Sequence, residues 1–131
     1  INIIGEINQL PKKLKSILKD SMHKTKNNKR ILVNLALNYG SKKEIVNAFK
    51  RIKNKKISEK KISDNLYTSK IPNPDILIRT GGKKRLSNFM LWQLAYTELY
   101  FLDKLWPDFL KADLKKIINN YSKVKRNFGG I

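Results

Sequence analysis

Cysteine is absent from the 131 residues, so neither a disulfide framework nor thiolate catalysis is open to the chain. Histidine is nearly absent. His23 stands alone in the lysine-rich stretch HKTKNNKR, which leaves a zinc site without ligands and reads as surface. Acidic residues are scarce, ten against 29 lysines and arginines, for a formal net charge of +19. Such a field favours anionic partners: nucleic acid, phosphorylated small molecules or an acidic membrane surface. Most of the excess is lysine scattered among Ile and Asn, so charge alone defines no binding face. No apolar run reaches the roughly 18 residues that span a bilayer. Residues 1–22 mix lysines with leucines in no signal-peptide pattern. The expectation is a cytoplasmic protein.

What is present suffices for a core. Hydrophobic residues make up 40% of the chain and are spread along it, which argues against disorder and for a single domain over residues 1–131. INIIGEI reads as a strand ending at Gly5. LPKKLKSILKDSM places Pro11 at a helix start, with Leu10, Leu14, Ile17, Leu18 and Met22 at helical spacing. ILVNLALNYG reads as a strand buried on both faces of a parallel sheet. SKKEIVNAFKRIKNKK opens on Ser41 with Glu44 three residues on, the spacing of a capping box, and predicts Ile45, Phe49 and Ile52 as its buried stripe. ISEKKISDNLYT suggests a second short helix, DILIR a buried strand and NFMLWQLAY a buried helix. LYF is a last strand, and DLKKIINNYSKVKR closes the chain as an amphipathic helix. This alternation predicts an α/β fold, a mainly parallel sheet with flanking helices.

Chemistry concentrates after DILIR. In open parallel sheets ligands bind beyond the carboxyl ends of strands. Arg79 would stand at such an end, followed by Thr80, Gly81 and Gly82, with Arg85 as a second guanidinium. The glycines would let backbone N–H groups approach a ligand. Ser87 and Asn88 would cap the next helix and expose its positive end. Together these features predict an anion site, most simply for phosphate or diphosphate.

PDILIRTGGKKRLSNFMLWQLAYTELYF, followed by LWPDF, closely resembles the cis-prenyltransferases, in particular the bacterial undecaprenyl diphosphate synthases; LNYGSKKEIVNA and LYTSKIPNPD match the family too. The resemblance runs over the whole chain. It implies the cis-prenyltransferase fold and condensation of isopentenyl diphosphate with an allylic diphosphate such as farnesyl diphosphate. The product would be a long-chain polyprenyl (undecaprenyl) diphosphate, and Mg²⁺ would be required. It implies that Arg79, Arg85 and Ser87 hold the isopentenyl diphosphate and that Glu98 is the metal-linked glutamate. Ile31, Val33 and Leu35, on one face of their strand by alternation, would line the hydrocarbon tunnel; ordinary core packing is the alternative. A homodimer through Phe89–Phe109 is implied as well. So is peripheral contact with the inner face of the membrane through the lipid product, with no specific nucleic-acid partner.

Two positions depart from the family pattern. Lys83 stands where the family has Glu, and Asn127 where many members have an arginine thought to reach the partner subunit; Arg126 is one residue earlier. The family's Asp-Gly-Asn-Gly-Arg loop, which carries the catalytic aspartate, has no counterpart here, so no catalytic residue is assigned. The chain therefore reads as the C-terminal portion of such an enzyme, with the N-terminal half of the fold absent and no activity expected of it alone. If Ser87 begins a straight helix, Glu98 lies roughly 16 Å away along it at 1.5 Å per residue. The rival readings are a non-catalytic diphosphate-binding or dimerisation fragment, and a basic nucleic-acid-binding protein.

Overall fold

A parallel strand pair organises each half of the chain in the computed structural model, which describes residues 1–52 and 56–126. The halves form two compact units, Ile1–Pro72 and Asn73–Ile131. Both pairs are parallel and each needs a long crossover, so the α/β architecture anticipated from the alternating pattern is the one that forms.

In the first unit β1 (Asn2–Ile4) pairs with β2 (Asn34–Ala36), with Ile3 opposite Leu35. The crossover is α1 (Lys12–Thr25), entered through Pro11, whose fixed φ and missing N–H suit a helix start. α1 runs to Thr25, so His23 lies in its last turn; Lys26 Nζ sits 3.1 Å from its Nε2. Gly5 ends β1 for a steric reason. Its φ is +116°, and a Cβ there would lie 2.1 Å from the Leu37 carbonyl oxygen.

Two expectations fail in this unit. The strand predicted over residues 31–38 shrinks to Asn34–Ala36, and it is not buried on both faces. Ile31 is 76% exposed and Leu35 40%. A buried parallel strand needs a partner on each side and cover on each face, and among the described residues β2 pairs only with β1. In α2 (Ser41–Ile52) the buried face is Ser41, Glu44, Ala48 and Ile52, while Phe49 is exposed. The helix is turned toward Glu44 because that carboxylate is well partnered. It accepts the Tyr39 hydroxyl at 2.5 Å and the Tyr67 N–H at 2.7 Å, which offsets the cost of burying a charge. α3 (Glu59–Ser63) is the short helix expected, capped by Ser58 accepting from the Lys61 N–H.

In the second unit β3 (Ile76–Arg79) pairs with β4 (Glu98–Phe101), with Ile76 opposite Glu98 and Arg79 opposite Phe101. The helix predicted between them does not form. Residues 87–96 are a chain of turns in which Ser87, Asn88 and Met90 take φ of +50°, +62° and +47°, values no right-handed helix contains. α4 (Lys111–Tyr121) closes the unit and buries Ile117, while Leu114 and Ile118 stay exposed. Asp113 accepts from the Leu110 N–H at 2.8 Å at the start of α4 and from Lys104 Nζ at 2.8 Å, which holds its carboxyl below the usual range.

Candidate anion-binding site

β3 delivers Arg79 to its carboxyl end, and the turns beyond bring Arg85 and Ser87 back to it. Arg79 Nη1 donates to Ser87 Oγ at 3.0 Å and also to the Arg85 carbonyl oxygen. The three residues form the polar edge of one cavity of about 470 Å³. Its other walls are Pro74, Ile76, Leu77, Ile78, Leu86, Phe89, Met90 and Leu94. Two guanidinium groups and a hydroxyl beside an apolar wall suit an anion that carries a hydrocarbon. Phe89, Met90 and Leu94 were legible in the sequence only as core, because an apolar run has the same composition whether it packs on itself or on a ligand.

Two parts of the expected anion site are replaced. With no helix beginning at Ser87, no helix dipole points at the cavity. Nor do the glycines offer their N–H groups to a ligand. Gly81 N–H donates to the Lys104 carbonyl and Gly82 N–H to that of Leu102, both at 2.9 Å, continuing the pairing of β3 with the segment after β4. The formal positive charge at the cavity edge is that of the Arg79 and Arg85 side chains. Lys83 and Lys84 are exposed and outside the cavity lining.

Glu98 stands apart. It is opposite Ile76 at the start of β4, three residues back from Arg79 in register, or about 10 Å along the strand. It does not line the cavity. Among the described residues no three His, Cys, Asp or Glu side chains converge as metal ligands do, so these residues do not fit a Mg²⁺ site by themselves. Of the tunnel candidates in the first unit, Ile31 and Val33 precede β2 and only Leu35 is within it; all three are exposed. Alternation holds at Leu35, whose neighbours Asn34 and Ala36 are half-buried. Asn127 lies outside the described residues. Arg126 is engaged within its own unit, with Nη1 2.6 Å from both Asp75 Oδ1 and the Tyr121 hydroxyl and Nη2 2.8 Å from the Tyr96 carbonyl. Among the described residues no helix is long and apolar enough to cross a membrane.

The sequence profile of the undecaprenyl diphosphate synthase family (Prenyltransf) matches residues 1–129. An isoprenyl transferase from Oceanobacillus iheyensis is 43% identical over all of this chain and 56% of its own length. One from Rickettsia prowazekii is 47% identical over 98% of this chain and 58% of its own. The fold superposes on a crystal structure described as a probable undecaprenyl diphosphate synthase from Campylobacter jejuni, with a TM-score of 0.89 and 37% identity, covering 98% of this chain and 62% of that one. Lavandulyl diphosphate synthase from Lavandula x intermedia, solved with dimethylallyl diphosphate, gives a TM-score of 0.90 and 36% identity over 98% of this chain and 59% of its own. The chain thus spans a little over half the length of the relatives it matches.

Proposed function

The chain belongs to the undecaprenyl diphosphate synthase family of prenyltransferases, and from that premise we propose that the complete protein condenses isopentenyl diphosphate with an allylic diphosphate, farnesyl diphosphate, to a long-chain polyprenyl diphosphate. The observation that carries the proposal is the convergence of Arg79, Arg85 and Ser87 on one apolar-walled cavity at a strand end. Those three groups hold the diphosphate of the isopentenyl substrate, and the cavity wall accepts its five-carbon body. The allylic C–O bond breaks and its diphosphate departs. The isopentenyl alkene supplies the electron pair for the new C–C bond, and a proton is lost. This chain's part is to fix the nucleophile in place, which converts a bimolecular encounter into a step between positioned groups.

Mg²⁺ belongs to the proposal, with Glu98 contributing one carboxylate; the described residues do not complete its donor set. A homodimer and a peripheral contact with the inner membrane face through the lipid product complete the reading. The test supplies the complete gene product with labelled isopentenyl diphosphate, farnesyl diphosphate and Mg²⁺. Label in extracted polyprenyl diphosphate is expected. No incorporation by folded protein overturns the assignment, and label stopping at a short product overturns the long-chain part.

A further inference from the structure

We propose that Arg79 is a positioning residue for Ser87, turning the serine proton toward the anion bound in the cavity. This rests on the anion-site reading above and concerns how that site is assembled. A hydroxyl has one proton and two lone pairs, whereas a guanidinium has donors only. In the 3.0 Å contact between Arg79 Nη1 and Ser87 Oγ the serine oxygen is therefore the acceptor. Its own proton remains for another partner, and Ser87 makes no second hydrogen bond among the described residues. Arg79 also donates to the carbonyl of Arg85, so one guanidinium holds the loop on both sides of Leu86.

The loop needs such a hold. Ser87, Asn88 and Met90 all sit at positive φ, a conformation that costs free energy in residues other than glycine and persists only when the surroundings impose it. Nη1 is occupied by the loop, while Nε and Nη2 remain for two oxygens of a diphosphate, the fork geometry a guanidinium is suited to. The bound anion then meets the Arg79 fork, the Arg85 guanidinium and the Ser87 proton together. Lysine at position 79 would keep the charge but, with a single nitrogen, could not present a two-donor fork to the anion while holding the loop.

The experiment is a double-mutant cycle on the complete gene product, with inorganic pyrophosphate as the calorimetric probe. Ser87→Gly removes the hydroxyl without adding strain at positive φ. In the wild-type background it is expected to weaken pyrophosphate binding about tenfold, as for a hydrogen bond to a charged group. In the Arg79→Lys background the same change is expected to matter less than about threefold, because the hydroxyl is no longer aimed. In an Arg85→Lys background, where the Ser87 contact is intact, the tenfold loss should return. In the steady state, Ser87→Gly should raise the KM for isopentenyl diphosphate and leave that for the allylic substrate in place, whereas general loosening of the fold would raise both. Equal losses in all three backgrounds overturn the proposal, as does a wild-type protein that fails to bind pyrophosphate. If Arg79→Lys does not fold, Arg79→Gln takes its place in the cycle. Because the binding cycle needs no turnover, coupling without prenyl transfer would overturn the proposed reaction and leave this inference standing. Turnover without coupling would do the reverse.

Discussion

Tyr67 donates its phenolic hydrogen to Glu6 Oε1 at 2.5 Å, joining the segment after α3 to the loop after β1. Asn47 donates to the same oxygen at 3.1 Å, and Lys43 lies 3.4 Å from Oε2. The Tyr67 hydrogen bond, ahead of Lys43, holds the Glu6 carboxyl below its ordinary value; burial and the same bond push the Tyr67 phenol up. A carboxyl that is more acidic in the folded protein stabilises it above the ordinary glutamate range, and that contribution is lost as pH falls through the folded value. A raised phenol works at the other end: its contribution is present below the ordinary tyrosine range and is lost as pH rises through the folded value. Tyr67→Phe is expected to lower the thermal midpoint at neutral pH and to flatten its fall between about pH 5 and pH 3. Parallel acid limbs for the two proteins would show that Glu6 does not report through Tyr67.

The glycines differ in what they tolerate. Gly5→Ala must place a Cβ 2.1 Å from a backbone oxygen at φ +116°, whereas Gly81→Ala, at φ +86°, meets no atom within 4 Å. The second change carries only the left-handed penalty, about 1–2 kcal/mol. The first must also displace β2's exit and is expected to cost clearly more. Denaturant midpoints for the two variants decide it, and an equal loss would count against the close approach of Gly5 to Leu37.

Arg79→Ala in the complete protein is expected to lower the catalytic efficiency for isopentenyl diphosphate by roughly tenfold to a hundredfold, the worth of one charge-assisted hydrogen bond. The allylic substrate's KM should move much less. Unchanged kinetics for isopentenyl diphosphate would place the guanidinium outside the substrate site.

Legibility in the sequence followed the physics of each segment. α1, α2 and α4 were readable because Pro11, the Ser41–Glu44 spacing and the apolar spacing are local signals; the Ser58 cap of α3 came only with the structure. Arg79 was readable as a strand end because DILIR carries no competing pattern. The turns at 87–96 were not. NFMLWQLAY has helix-compatible composition, and nothing local announces that Ser87, Asn88 and Met90 adopt positive φ; Ser87 accepts a hydrogen bond from Arg79, eight residues away. The burial of Glu44 rather than Phe49 in α2 was hidden for the same reason. Tyr67, which helps to partner it, is 23 residues distant. Residue types thus pointed to Arg79, Arg85 and Ser87, which the structure brings to one cavity edge, while the pairing of the glycine amides and the missing helix end depend on contacts that no short window contains.

The exposed apolar surface of the second unit leads to the last prediction. Leu105 is 62% exposed, Trp106 72% and Leu110 61%, and the Trp106 ring stacks on Phe109 with centroids 5.8 Å apart and planes 8° from parallel. Exposed single hydrophobics are ordinary, but a tryptophan held flat against a phenylalanine between two exposed leucines is a rigid apolar platform of the kind found at interface centres. Fully burying each such side chain is worth about 1.5–3 kcal/mol, and a two-fold contact buries every one of them twice. The complete protein is therefore expected to show twice the chain mass in light scattering at micromolar concentration. Trp106→Glu, which places a carboxylate on each side of that contact, should convert it to a monomer. Because Trp106 is mostly in water within its own subunit, the substitution disturbs little besides the Phe109 stacking, and the monomer should keep the wild-type far-ultraviolet circular dichroism. A wild-type protein that scatters as a monomer, or a Trp106→Glu dimer as tight as wild type, would mean that this platform is not where two copies meet.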